Sequence, residues 1–331
     1  MIIFWHINRI AHFALLVFSY FISKWIRKPI LPGRPVSLSI EPTTSCNLRC
    51  QECPSGLRSF TRPTGMLAFS TFRKLIDQTA PHLVFLNLYF QGEPYLNPQF
   101  LDFVRYARKK GIYTSSSTNA HYLSEERARE TVASGLNRLI VSVDGTTQEI
   151  YEAYRTGGRL DRVLEGTRRL IKWKKKLKSR SPKIVFQFLV VKPNEHQIGE
   201  LKLLAIDIAV DEVSIKTAQI GDYKNGSALL PENPKYSRYR LQDDGTYAIK
   251  NPLKNQCWKM WHSCVVTWDG RAVPCCFDKD ARHEMGNIKR SSLNEIWKSS
   301  AYHSFRKKLL QSRSSIDICT NCTEGMKIYE K

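Results

Sequence analysis

Three cysteines stand in Glu41-Pro-Thr-Thr-Ser-Cys46-Asn-Leu-Arg-Cys50-Gln-Glu-Cys53-Pro54, spaced Cx3Cx2C. They fall one short of the four ligands that a structural zinc site closes around. A thiolate-held iron–sulfur cluster tolerates the shortfall, because one iron can go without a protein ligand and take substrate there. Chemistry at an open iron is therefore expected at Cys46, Cys50 and Cys53. On this motif alone the alternative is a zinc knuckle or a redox-sensitive cysteine cluster. The other six cysteines are Cys257, Cys264, Cys275, Cys276, Cys319 and Cys322. Trp268-Asp269-Gly270-Arg271 is a two-residue hairpin signal just before Cys275. Ser292-Leu-Asn-Glu295 is a capping box opening a helix that runs toward Gln311. A hairpin, a helix and the returning Cys319-Thr-Asn-Cys322 can bring four thiolates together, with a zinc ribbon as the alternative. Spacing does not choose between Cys275 and Cys276, and Cys264 is unassigned.

These groups need a scaffold. Apolar, β-rich runs at 36–40, 82–90, 113–118, 138–143, 183–192 and 212–217 alternate with helical patterns at 70–78, 98–110, 124–133, 160–177 and 195–208. Six strand–helix units predict a parallel α/β sheet with right-handed crossovers. In parallel α/β barrels the loops after the strands carry the site. Cys46–Cys53 follows the first strand and Gln91-Gly92-Glu93-Pro94 the second. Ser116-Ser-Thr-Asn119 ends the third, and Ser142-Val-Asp144-Gly145, with Arg155 beyond it, ends the fourth.

The Cx3Cx2C run and this ordered set resemble the radical S-adenosylmethionine (SAM) superfamily. The resemblance implies a partial (β/α)6 TIM-like barrel and a [4Fe-4S] cluster on Cys46, Cys50 and Cys53, with SAM chelating the fourth iron. It places Gly92, Glu93 and Pro94 at the SAM amine, Asn119 at the ribose, and Ser142 and Arg155 at the SAM carboxylate. Reductive cleavage of SAM would then release a 5′-deoxyadenosyl radical that abstracts a substrate hydrogen atom, with reduced flavodoxin or ferredoxin as electron donor. Gln91 replaces the first glycine of the family's Gly-Gly-Glu segment, and Glu52 stands where many members carry an aromatic residue. Cys257-x17-Cys275-x43-Cys319-x2-Cys322 resembles a SPASM or Twitch auxiliary domain. That likeness implies a second [4Fe-4S] cluster on Cys257, Cys275, Cys319 and Cys322, closed to substrate and suited to passing electrons. Such tails occur in peptide maturases, sulfatase-activating enzymes and an aminosugar-pathway alcohol dehydrogenase, and they imply an oxidative outcome. The domains expected are an N-terminal helix and linker (1–35), the core barrel (36–225), a linker (226–256) and the small cysteine-rich auxiliary domain (257–331). The 35 residues before the first strand are too few for the leader-binding module of peptide maturases.

The chain has 331 residues, enough for more than one core, and a net charge of +21, which favours anionic partners. Free thiols for iron fit a reducing cytoplasm. The lysine-rich run at 172–180 reads as a solvated helix face. Residues 2–26 are mostly apolar, with Asn8, Arg9, His12, Ser19, Ser23 and Arg27 confined to an arc of roughly 100°. A spanning helix needs about 20 apolar residues, and Arg9 near its middle would cost on the order of 2.5–3.5 kcal/mol. The expectation is a helix lying on the cytoplasmic membrane face with Lys24, Arg27 and Lys28 against anionic lipid, and an anionic, membrane-proximal substrate. The alternative is a helix packed on the protein's own barrel. Lys235-Tyr-Ser-Arg-Tyr-Arg240 interleaves aromatic and basic residues like an RNA-stacking platform, but it reads better as a linker past the barrel mouth, so nucleic acid is not the expected partner. Lys216, Arg238 and Asp278 are placed where they could face a substrate. No catalytic base is assigned.

Overall fold

In the computed structural model, which describes residues 2–324, α1 (Ile2–Ile26) precedes five strand–helix units and a sixth strand. These are β1 (Ser37–Ile40) with α2 (Pro54–Leu57) and α3 (Phe69–Thr79), β2 (Phe85–Asn87) with α4 (Phe100–Lys109), and β3 (Tyr113–Thr118) with α5 (Glu125–Ala133). Then come β4 (Arg138–Ser142) with α6 (Gln148–Tyr154) and α7 (Leu160–Lys176), β5 (Lys183–Val190) with α8 (Ile198–Ile208), and β6 (Glu212–Thr217). The tail holds the hairpin β7 (Tyr239–Leu241) and β8 (Tyr247–Ile249), then α9 (Lys259–His262), β9 (Ser263–Val266), β10 (Arg271–Val273), β11 (Gly286–Asn287), α10 (Leu293–Trp297) and α11 (Ser300–Ser312).

β1 to β6 pair in sequence order and all in parallel, an open, partial barrel. Side chains alternate across a strand. On the helix side Leu38, Ile40, Leu86, Leu139, Phe186 and Phe188 are fully buried and form the core. Burying each such side chain stabilises by roughly 1.5–3 kcal/mol. Several inward positions are different in kind: Ser37, Ser39, Asn87, Ser117 and Gln187 line open space, beside Phe85 and Leu189. A closed eight-stranded barrel fills its interior with branched apolar side chains; this one is hollow.

The sheet does not stop at β1. β9 joins the outer edge of β1 in parallel, with Leu38 opposite Cys264, and β10 and β11 continue it antiparallel. The cysteine-rich tail thus extends the barrel's own sheet, and Trp261, Trp297 and Tyr302 share its core. The helix expected to run from Ser292 toward Gln311 is two helices, because Ser299 caps α11 by accepting from the Tyr302 backbone N–H (3.3 Å). The capping box at Ser292 and Glu295 forms as expected. Of the 257–331 region, residues 325–331 lie outside the described residues.

The polar arc of α1 is turned inward. Arg9 donates to the carbonyls of Ala80 (2.7 Å) and Gly111 (3.2 Å), and His12 Nε2 lies 2.9 Å from the Arg34 carbonyl. Ser23 accepts from the Ile30 N–H (2.8 Å), while Tyr20 packs edge-on against Trp258 and Trp261. Arg9–Ile26 is apolar and long enough to cross a membrane, yet its guanidinium is committed to the barrel. The apolar arc faces out: Ile10 is 69%, Phe18 66%, Phe21 57% and Trp25 86% exposed.

One buried ion pair fixes the root of the first cysteine loop. Arg62 grips Glu41 with both terminal nitrogens (2.8 and 2.6 Å), and both side chains are shielded from water. Glu41 also accepts from the Trp268 N–H (3.2 Å), and Arg62 Nε donates to the Lys279 carbonyl (3.2 Å), so the end of β1 is tied to the tail. Burial raises the Glu41 carboxyl despite Arg62. Arg62→Ala strands that carboxylate and should lower stability by roughly 3–5 kcal/mol. Thermal unfolding reads the effect, and an unchanged midpoint would contradict it.

Candidate active site

The cysteine loop leaves β1 and is pinned before it reaches α2. The Arg49 N–H donates to the Thr156 carbonyl (2.9 Å) and that of Cys53 to the Cys50 carbonyl (3.2 Å). Gly56 packs so closely that a Cβ there would lie 2.6 Å from the Cys50 nitrogen. Cys50 is buried, Cys46 and Cys53 are half-buried, and all are free thiols. N–H donors already face the sulfurs: Leu48 N and Asn119 Nδ2 lie 3.5 and 3.9 Å from Cys46, and Arg155 Nη1 lies 3.8 Å from Cys50. Burial pushes the Cys46 thiol up to about 12 and raises that of Cys50, where Arg155 pulls the other way. Iron must displace these protons on binding. Glu52 accepts from the Gly221 N–H (2.9 Å), tying the loop to the segment after β6.

After β2 the backbone turns sharply. Gly92 has φ +74°, and a Cβ on it would come 2.3 Å from the Thr43 carbonyl oxygen, so no other residue fits. The Glu93 carboxylate is fully buried and accepts from the Asn119 N–H (2.7 Å), the Thr118 hydroxyl (2.8 Å) and the Tyr95 N–H (3.2 Å). Burial outweighs those bonds and raises its pKa to about 7. Pro94 opens the one-turn helix Pro94–Leu96 and does not reach the cavity wall. Asn119 Nδ2 also donates to Asn47 (2.8 Å), inside the cysteine loop.

Beyond β4, Asp144 is fully buried and divides its oxygens between the Leu189 N–H (2.6 Å) and Arg155 Nε (2.5 Å). Held at Nε, Arg155 presents its terminal nitrogens toward Cys50. Its charge is locked on by Asp144 and Cys50, which raise its pKa well above normal against the cost of burial.

A cavity of about 310 Å³ brings these groups together: Cys46, Cys50, Cys53, Gly92, Glu93, Asn119, Ser142 and Arg155 all line it. Among the described residues no three His, Cys, Asp or Glu side chains converge on one point that would hold a single ion. The three thiols wall a space, which suits a cluster. The wall also contains residues that sequence reasoning missed: Gln187 and Leu189 from β5, Gln219, and Lys279 from the tail. Gln187 carried a signal, being polar inside the apolar run of β5. Lys279 carried none, because only the fold brings it across.

In the tail, Cys319 and Cys322 are buried, and Cys257 and Cys275 half-buried. Arg313 Nη2 and the Glu324 N–H lie 3.2 and 3.3 Å from the Cys322 sulfur. The Cys275 thiol is raised well above normal by burial, then by the proximity of Cys276, Cys257 and Cys319; burial pushes Cys257 up to about 12, with Glu324 and Cys322 adding to it. Cys257, Cys275, Cys276, Cys319 and Cys322 therefore lie in one neighbourhood. Cys276 is exposed, and Cys264 is sealed in the core on β9 beside Tyr302.

Three sequence expectations change. Asp278 is buried and caps the N–H groups of Arg282 (2.8 Å) and His283 (2.9 Å), so it serves a turn and no substrate. Tyr239 is buried, stacks on Tyr223 and bonds Asn321 (2.8 Å), which removes the stacking platform from 235–240. Lys216 is not in the wall of this cavity, whereas Arg238 is in it and also donates to the Thr217 carbonyl (3.0 Å).

The Radical SAM superfamily profile matches residues 40–200, and the SPASM iron–sulfur cluster-binding domain profile matches residues 257–323. A tungsten-containing aldehyde ferredoxin oxidoreductase cofactor-modifying protein of Pyrococcus furiosus is 25% identical, with 86% of each chain covered. A PqqA peptide cyclase of Gluconobacter oxydans is 25% identical over 81% of this chain and 77% of its own. Streptococcus suis SuiB bound to S-adenosylmethionine shares the fold at TM-score 0.65 and 14% identity, covering 89% of this chain and 73% of that one. BtrN with AdoMet and 2-DOIA does so at TM-score 0.54 and 20% identity, covering 88% and 94%. With profile, fold and clustered thiols in agreement, the chain belongs to the radical SAM superfamily with a SPASM-type C-terminal domain: an enzyme whose cofactors are SAM, a [4Fe-4S] cluster and an auxiliary [4Fe-4S] cluster.

Proposed function

We propose that Cys46, Cys50 and Cys53 hold the SAM-cleaving cluster, that Cys257, Cys275, Cys319 and Cys322 hold the auxiliary one, and that the enzyme oxidises its substrate by dehydrogenation or crosslinking. The reading rests above all on the cavity in which three thiols, a buried carboxyl and a guanidinium meet. When bound and reduced, the cluster and SAM supply a 5′-deoxyadenosyl radical that takes a hydrogen atom from substrate. Arg155, held at Nε by Asp144, turns a planar fork toward a carboxylate-sized partner, with the Ser142 hydroxyl beside it. Glu93 offers its carboxylate to an amine, the Gly92 turn keeps it within reach, and Pro94 stiffens the exit. Asn119 carries amide groups toward ribose hydroxyls. Cys257, Cys275, Cys319 and Cys322 would give an auxiliary cluster four protein ligands and no open iron, so that the group, when bound, would supply an electron acceptor for an oxidative outcome. Reduced flavodoxin or ferredoxin, both acidic carriers, fits the +21 surface as reductant.

Three measurements test this reading. Anaerobically reconstituted protein should release 5′-deoxyadenosine from SAM with a reductant, and Cys50→Ala should not; equal product from both would overturn the assignment. Cys275→Ala should lower iron and sulfide content while Cys276→Ala leaves it unchanged, and the reverse order would move the ligand to Cys276. Glu93 is half-protonated near pH 7, so below that an incoming cationic amine must displace its proton. SAM affinity should therefore rise between about pH 6 and pH 8, more steeply in wild type than in Glu93→Gln. Identical slopes would remove Glu93 from the amine site.

A further inference from the structure

A second, larger cavity of about 900 Å³ lies between α1 and the inward faces of β1, β2 and β9. Its size is at the upper end of the ~300–1,000 Å³ typical of small-molecule sites. Tyr89 and Phe90 line both it and the thiol-walled cavity, and Cys275 and Cys276 are also in its wall. It therefore touches the neighbourhoods of both cysteine groups, where a substrate that loses first a hydrogen atom and then an electron would have to sit.

The walls tell what kind of substrate. Ile10, Phe13, Val36, Val84, Phe85 and Val265 give it a broad apolar lining. Ile10 and Phe13 belong at once to this lining and to the exposed apolar arc of α1, which continues through Phe18 and Phe21 to Trp25. At the rim Val84 and Tyr113 remain 41% and 40% exposed. An outward apolar helix face is expensive in water and favourable in the acyl region of a bilayer. At the C-terminal end of α1, Lys24, Arg27 and Lys28 are exposed and offer cations to anionic headgroups. Ile10 and Phe13 thus join the exposed apolar arc of α1 to the chamber.

We propose that the chamber takes the hydrocarbon chain of an anionic membrane lipid, drawn in along α1 and held between the two clusters as the substrate. The proposal rests on the radical SAM reading above and adds its substrate class. Ser37 and Ser39 leave the room that the chain fills, and α1 serves as both anchor and doorway.

The test uses full-length, anaerobically reconstituted protein and a fluorescent polyene fatty acid in the absence of vesicles. Wild type should bind the probe. Ser39→Trp and, separately, Ser37→Phe fill the chamber and should weaken binding at least about ten-fold, while iron content and sedimentation with phosphatidylglycerol vesicles stay at the wild-type level and show that each variant is folded. Phe18→Ser with Trp25→Ser should do the reverse, reducing sedimentation and keeping the probe. Failure of wild type to bind, or probe binding lost with Phe18 and Trp25 but kept in both chamber variants, would overturn the proposal. Saturable displacement of the probe by an apolar peptide but not by phosphatidylglycerol would overturn it as well. 5′-Deoxyadenosine formed by wild type in the same preparation separates failure of the lipid proposal from failure of the radical reading, since its absence sinks the latter whatever the probe does.

Discussion

A parallel barrel with serine, asparagine and glutamine at several of its inward positions does not fill itself. The helix-side residues of β1 to β6 carry the packing that holds the sheet together, so the lumen is released from any duty to the core. Both cavities follow from that division of labour. The upper one collects the polar ends of the strands around three thiols; the larger one lies against β1, β2 and β9, and α1 closes over it. Filling the lumen with valine and leucine would gain burial and lose the enzyme.

The second constraint is that the tail is built onto the first strand. Because β9 pairs with β1, the hairpin that delivers Cys275 is in fixed register with the strand that delivers Cys46. The Glu41–Arg62 pair locks the same junction, with Trp268 and Lys279 as its tail-side partners. Lys279 reaches the thiol-walled cavity from that side. The distance between the two cysteine groups is thus set by sheet hydrogen bonds and a desolvated ion pair, a rigid arrangement.

Much of this was legible in the chain. The two cysteine spacings, the strand order and the polar residues at strand ends carry local signals, and β3 and β6 begin and end at the residues expected of them. What escaped was non-local. Nothing near residues 263–266 announces a partner at 37–40, because register between distant segments is decided by the whole sheet. The α1 periodicity gave a polar arc but not its direction. That was decided by carbonyls at Ala80 and Gly111, far along the sequence, which Arg9 satisfies. Tyr239 and Asp278 looked available and are consumed by packing and capping. The break at Ser299 had a visible cap residue, but the apolar pattern ran on through it.

The assignment proposed for Cys46, Cys50 and Cys53 requires that a cluster held there leave one iron to SAM. The direct measurement is the electron paramagnetic resonance spectrum of the reduced protein, carrying Cys319→Ala and Cys322→Ala to remove the auxiliary signal, recorded with and without SAM. A cubane spectrum whose g-values move on adding SAM is the result expected of an iron open to that ligand. A spectrum indifferent to SAM, or a protein that binds zinc and no sulfide at these cysteines, would contradict the account.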